Sequence, residues 1–288
     1  MKYFEVSFTI EPCSQDAQDL LSALAGEAGF ETFEETANGL TGYVQQSLFD
    51  QPALDAALEG FPFDHTRITY NVREAEDRDW NEQWEQEGFE PIVVAEQIVI
   101  HDGRHTGGTD LAHYPIAIEI DARLAFGTGS HETTRMICAT LLDIPVAGKR
   151  VLDCGCGTGI LGICALKLGA DSCTAYDIDE WSVDNCRHNA VINHVDERMT
   201  ELHGDATLLD RTDIGPFDLV MANINRNILL QDMEQFARVM VADARLVLSG
   251  FYQQDCHQLC EHAQHLGLEL QQQRHDGEWA CLLFRKKL

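Results

Sequence analysis

Phe4, Val6, Phe8 and Ile10 alternate with polar neighbours, a period of two that predicts a strand with one buried face. Pro12 and Ser14 then open a helix, with Leu20, Leu21, Leu24 and Ala28 at helical spacing and Gly29 closing it. A second strand is expected from Phe30 to Glu35 and a third from Leu40 to Val44, joined at Asn38-Gly39, a dipeptide suited to the tight turn of a hairpin. Asp50 to Leu58 reads as a second helix and Arg67 to Val72 as a fourth strand. The order β-α-β-β-α-β is the ferredoxin-like α+β pattern, a sheet with helices on one face, and it is assigned to residues 1–72.

Residues 73–88 are charged and carry Trp80 and Trp84, spaced to share one face of a helix, so a linker helix is expected there. From residue 89 the pattern changes. Ile92 to Ile100 and Ile116 to Ile120 read as apolar strands around a Gly- and His-rich polar loop at 101–113. Strands then alternate with helical segments: Arg150 to Asp153, Thr174 to Asp177, Met199 to His203, Leu219 to Ala222 and Arg245 to Leu248. That alternation predicts a doubly wound, Rossmann-like α/β sheet over 89–288. Leu268 to Arg274 and Glu278 to Arg285 form a terminal antiparallel hairpin about His275-Asp276-Gly277.

Charge adds one constraint. The chain holds 48 acidic and 20 basic residues, a net charge of −28, which repels nucleic acid and anionic membrane and attracts a basic protein. Its 10 cysteines are scattered through apolar stretches, unlike a secreted disulfide framework. No apolar run approaches membrane-spanning length and Glu5 interrupts any signal core, so a cytoplasmic protein with reduced thiols is expected.

The densest chemistry lies in Val151-Leu152-Asp153-Cys154-Gly155-Cys156-Gly157-Thr158-Gly159-Ile160-Leu161. A buried strand enters a glycine turn and then a helix whose first N–H groups are free to meet a ligand. Asp177 closes the next strand, where an acid accepts hydrogen bonds from ribose hydroxyls. The glycines run GxGxG through Gly155, Gly157 and Gly159, not the GxGxxG of dinucleotide sites, and Asp153 would repel a pyrophosphate but suit a cationic amino-acid end. The terminal hairpin agrees: S-adenosylmethionine-dependent methyltransferases add an antiparallel strand to the dinucleotide fold. Asp205, after the third strand, is placed near an adenine amine or as a helix N-cap. Asn223 sits at the mouth of the site, without the two prolines that follow it in enzymes methylating planar amides or adenine. The run Leu124 to Thr134, with Phe126 and Gly127, reads as a lid over the methionine end of the cofactor, leading into a helix from Thr133 to Leu142.

The lid, the glycine loop, Asp177-Ile178-Asp179 and Ala222-Asn223-Ile224 together resemble the ribosomal protein L11 methyltransferase family (PrmA), and Trp80 and Trp84 fit that family's inter-domain helix. The resemblance covers nearly the whole chain, with specific motifs in the C-terminal domain and only pattern and order in the front one. It implies a front domain that recognises the substrate and cofactor contacts at Thr134, Gly155, Asp177 and Asn223. It also implies methylation of lysine ε-amines and the N-terminal α-amine of ribosomal protein L11. The 101–113 segment departs from the short connection expected. No sharply marked general base is evident; Asn223 is expected to aim the amine, and His131 reads as either a proton acceptor or a structural lid histidine. A monomer is expected. Cys256, His257, Cys260, His262 and His265 fall within one helix and lack a second ligand pair, so surface and core roles are expected ahead of zinc. Three alternatives stay open: another basic protein as substrate, a non-catalytic cofactor-binding protein, and an NAD-dependent oxidoreductase.

Overall fold

The alternation of the first strand is realised in packing: Val6, Phe8 and Ile10 are buried in the core of the front unit. The computed structural model describes residues 3–26, 28–36, 38–46, 48–63, 66–74, 88–122 and 129–287. The chain forms two compact units, Met1–Trp80 and Asn81–Leu288. The first contains β1 (Tyr3–Glu11), α1 (Gln15–Gly26), β2 (Phe30–Thr36), β3 (Gly39–Gln45), α2 (Gln51–Glu59) and β4 (Arg67–Glu74). Its sheet has the order β2-β3-β1-β4 with every pair antiparallel, the ferredoxin-like arrangement expected. Ala17, Leu21 and Ala25 of α1 and Leu54 of α2 cover one face of this sheet. Asp50 starts α2 by accepting the Ala53 N–H at 3.0 Å, with Pro52 in the first turn, where its missing N–H costs nothing.

Two expectations are corrected. Arg73 and Glu74, assigned to a linker helix over 73–88, instead continue β4 opposite Glu5 and Phe4, because pairing with β1 outlasts the apolar alternation. The rest of that segment, 75–87 with Trp80 and Trp84, lies outside the described residues. The run from Ile92 to Ile100 is not one strand but a hairpin of β5 (Ile92–Val94) and β6 (Ile98–His101). Three residues connect the strands: Ala95 and Glu96 have φ of 48° and 56°, a left-handed pair, and Gln97 returns its N–H to Val94 O at 3.1 Å. β7 (Ile116–Glu119) joins β6 in parallel, giving a three-stranded sheet of its own.

The large sheet comprises β8 (Arg150–Cys154), β9 (Ser172–Asp177), β10 (Met199–His203), β11 (Phe217–Asn223), β12 (Met240–Tyr252), β13 (Leu268–Asp276) and β14 (Trp279–Lys286). Its order is β10-β9-β8-β11-β12-β14-β13. β8 to β12 run parallel, while β14 slots between β12 and β13 and opposes both. Ala280 to Phe284 are therefore buried without a break, as an interior strand covered on both faces requires. The accompanying helices are α3 (Glu132–Leu142), α4 (Ile160–Lys167), α5 (Glu180–Ile192), α6 (Arg226–Val239) and α7 (Cys256–His265). Two cores form, one on each side of the sheet. The strand order reverses between β8 and β11, and in such sheets ligands bind at that crevice, beyond the carboxyl ends of the strands.

Candidate functional site

The glycine turn begins where β8 ends. Gly155 and Cys156 donate their N–H groups to Tyr176 O at 2.9 and 3.0 Å, pinning the turn to β9. Gly155 has φ +70°, and a Cβ there would stand 2.5 Å from Ile224 Cγ2. Gly159 has φ +79°, and its Cβ would meet Cys186 Sγ at 2.5 Å. Both positions therefore demand glycine for conformation and for space. Gly162, inside α4, lets the helix approach the sheet: a Cβ there would lie 2.8 Å from Cys173 Sγ and Met199 Cε.

Asp153 is wholly buried under this turn. Its Oδ2 accepts the Gly162 N–H at 2.9 Å, and its Oδ1 has no partner among the described residues. Burial pushes its pKa up to about 7; the Gly162 N–H works against this, and the Asp177 charge adds to it. Asp177, at the end of β9, takes the Gly157 N–H on Oδ2 at 2.9 Å and the Asp179 N–H on Oδ1 at 3.1 Å. One carboxylate thus ties the glycine turn to the start of α5. The thiols of Cys154 and Cys156 are buried and held protonated, Cys154 chiefly by desolvation and Cys156 chiefly by its hydrogen bond with Cys186.

Asn223 ends β11 beside the turn, since Ala222 pairs with Cys154 and Ile224 packs over Gly155. Its Nδ2 donates to Oγ1 of Thr134 on α3 at 3.4 Å, and its Oδ1 has no partner among the described residues. Residues 89 apart in sequence, both singled out beforehand, therefore meet at the rim of the turn. His131 caps α3, its Nδ1 accepting the Thr133 N–H at 3.3 Å, which gives it a structural task. Asp205 caps the short 3-10 helix Ala206–Asp210 by accepting from Thr207 N at 2.9 Å. Phe126 and Gly127, with the remainder of 123–128, lie outside the described residues. In the 101–113 segment, Asp102 accepts from Arg104 N, His105 N, His105 Nδ1 and Phe89 N. Burial would raise its pKa, yet these bonds, led by His105, outweigh it and hold the carboxyl well below the usual range.

One supporting feature escaped the sequence reading. Asn185, Asn189 and Asn193 form a ladder along α5. Asn193 exchanges two bonds with the Glu119 backbone, at 3.0 and 2.6 Å. Asn189 accepts from Asp121 N at 3.0 Å and donates to Thr158 O at 2.9 Å, and Asn185 donates to Asp121 O at 2.8 Å. The ladder fastens the segment leading to residue 123 to both α5 and the glycine turn. An asparagine at every fourth position was the available signal. Asn189→Leu, which removes three hydrogen bonds, two of them buried, is expected to lower stability by ~3 kcal/mol. Denaturant unfolding checks this; a loss within ~0.5 kcal/mol would mean that the ladder carries no load.

Comparison with known proteins bears on this site. The profile of the family described as ribosomal protein L11 methyltransferase (PrmA) matches residues 14–287. A Phocaeicola vulgatus protein named ribosomal protein L11 methyltransferase is 46% identical, covering 100% of both chains. One from Bacteroides fragilis with the same name is 45% identical over 99% of each chain. The crystal structure of a ribosomal protein L11 methylase from Lactobacillus delbrueckii subsp. bulgaricus superimposes with a TM-score of 0.63 and 28% identity, covering 69% of this chain and 100% of that one.

Proposed function

The chain belongs to the ribosomal protein L11 methyltransferase (PrmA) family, and from that premise we propose that it moves methyl groups from S-adenosylmethionine to amines of ribosomal protein L11, lysine ε-amines and the N-terminal α-amine. The observation that carries this reading is the Thr134–Asn223 contact at the rim of a glycine turn flanked by two carboxylates. The residues present fit the cofactor: Asp153 Oδ1 is a buried acceptor without a partner among the described residues, and it lies under a glycine turn in which Gly155, at φ +70° and against Ile224, admits no side chain. Asp177 would hold the ribose hydroxyls, Gly155 and Gly157 the backbone of the cradle, and Asp153 the cationic amino-acid end. Thr134 would meet the methionine end, with Phe126 and Gly127 as further proposed contacts, and Asp205 would face the adenine amine. When bound, S-adenosylmethionine supplies an electrophilic methyl on a sulfonium.

The chain's own task is to present a neutral amine. A free lysine has a pKa of ~10.4, so about one in a thousand is neutral near pH 7.4. Asn223 acts on that neutral fraction, after the proton has passed to water. Thr134 fixes its amide by the nitrogen, which leaves the oxygen to accept an amine hydrogen and aim the lone pair. Proximity and alignment supply most of the rate. The front unit recognises the substrate. The −28 charge steers a free basic protein to this chain and opposes docking on rRNA phosphates, so modification precedes assembly, in the cytoplasm and by a monomer. Among the described residues no helix is long and apolar enough to cross a membrane.

The buried carboxyl sets a pH dependence. Asp153 titrates at about 7 when folded and near 4 when unfolded. The folded chain therefore keeps a proton that the unfolded chain loses, and stability of the free protein falls as pH rises across that window. A cationic ligand favours the carboxylate, so affinity for S-adenosylmethionine should rise from pH 5 to about 7 and then level off, with a proton released on binding. Calorimetry in two buffers of different ionisation enthalpy measures that release. Equal release by wild type and Asp153→Asn would contradict this role. A simpler test separates cofactors: S-adenosylmethionine, and not NAD, should protect the fold from heat.

A further inference from the structure

Beyond the Thr134–Asn223 contact stand three rings that the reaction scheme leaves unused. Tyr252 ends β12 and Trp279 starts β14, and their antiparallel register sets them opposite each other at the sheet edge where Asn223 lies. The rings stack with centroids 4.4 Å apart and planes at 27°. His131 meets the indole at 4.7 Å and 71°, edge to face. Two elements connect the group to the strand and helix that carry Asn223 and Thr134. His131 begins the helix that carries Thr134, and Ser249, beside Asn223 in the sheet, precedes Tyr252 on the same strand.

Packing alone accounts poorly for this arrangement. Tyr252 remains 43% exposed, while Leu246 to Ser249 of β12 and Ala280 to Phe284 of β14 are buried. Nearby charge favours a cation: Glu132 lies 3.7 Å from His131, and Arg135, the adjacent cation, is already engaged by Asp276 at 3.0 Å and Glu132 at 3.5 Å. The face of an aromatic ring attracts ammonium groups, and each added methyl weakens the ammonium's hold on water and strengthens its preference for the ring.

We propose that the Tyr252–Trp279 stack, steadied by His131, is a cation-binding face that receives the substrate's ammonium side chain and keeps its partly methylated forms beside Asn223. The proposal rests on the amine-methylation reading and adds the residues that select and retain the amine. Retention raises the share of chains that pass through several rounds before release.

Two measurements test it. The first needs no turnover: tetramethylammonium is titrated into the enzyme while the indole N–H resonances are followed by NMR. The chain has 4 tryptophans, so Trp80, Trp84 and Trp181 serve as internal controls and loss of a peak in Trp279→Leu assigns the fourth. A saturable shift confined to Trp279 is expected, weakened at least threefold in Tyr252→Ala and kept in Tyr252→Phe. The second is an intact-mass profile of ribosomal protein L11 at partial turnover. Tyr252→Ala should raise KM for L11 about tenfold, lower kcat by less and accumulate singly and doubly methylated chains, with S-adenosylmethionine affinity and melting temperature unchanged; Tyr252→Phe should restore the profile. No saturable shift in the wild type, or an unchanged KM and profile in Tyr252→Ala, overturns the proposal. A wild type that adds no methyl to L11 would instead fail the underlying reading, and the tetramethylammonium titration would still decide whether the face binds cations.

Discussion

Asp177→Ala is expected to lower affinity for S-adenosylmethionine by about 100-fold or more while the protein stays folded. The carboxylate currently receives two backbone N–H groups, from Gly157 and Asp179, and so fixes both the glycine turn and the start of α5. Its removal takes away the proposed ribose acceptor and loosens the cradle that the cofactor enters. Charge-assisted hydrogen bonds contribute roughly 1.5–3 kcal/mol each, so losing two carries the effect past 100-fold. The turn keeps its ties to Tyr176 O, and for that reason the fold should survive. Calorimetric titration, with a melting curve of the free protein as control, measures both parts. Wild-type affinity in the variant would remove Asp177 from the binding site.

Asn223→Ala should spare cofactor affinity to within about tenfold and lower kcat by roughly 100- to 1000-fold. Asn223 is only partly buried and makes one side-chain hydrogen bond among the described residues, so its loss costs the fold little. What disappears is the acceptor that aims the amine. Thr134→Val isolates the tie itself, since valine keeps the shape and removes Oγ1. With the asparagine present but unanchored, a smaller drop of about tenfold is expected. Single-turnover rates with saturating substrate give the comparison. A variant Asn223→Ala that turns over within threefold of the wild type would assign the aiming role elsewhere.

Legibility in the sequence followed the locality of the signal. β1 and the Asn38-Gly39 turn were readable because alternation and turn chemistry are local, and the structure has β2 and β3 as the expected pair. The glycine turn and Asp177 were readable because close backbone approach admits few residue types. The β5–β6 hairpin was missed because Ala95 and Glu96 occupy left-handed conformations without the usual Gly, Asn or Asp. The contact between Thr134 and Asn223 depends on the order of strands in the sheet, which no single segment encodes. The stacking of Tyr252 on Trp279 depends in the same way on β14 being inserted beside β12. Asp153 was read correctly as an acid at the end of an apolar strand, but its complete burial, and hence its raised pKa, comes from α4 closing over it at Gly162.

Amine methylation of a free basic protein is read out by an intact-mass spectrum of ribosomal protein L11 after incubation with the enzyme and S-adenosylmethionine. Mass should be added in whole methyl units on lysines and the N-terminus, and Asp177→Ala should abolish it. No added mass, with calorimetric binding of S-adenosylmethionine intact, would contradict the substrate assignment and leave only the methyltransferase fold standing.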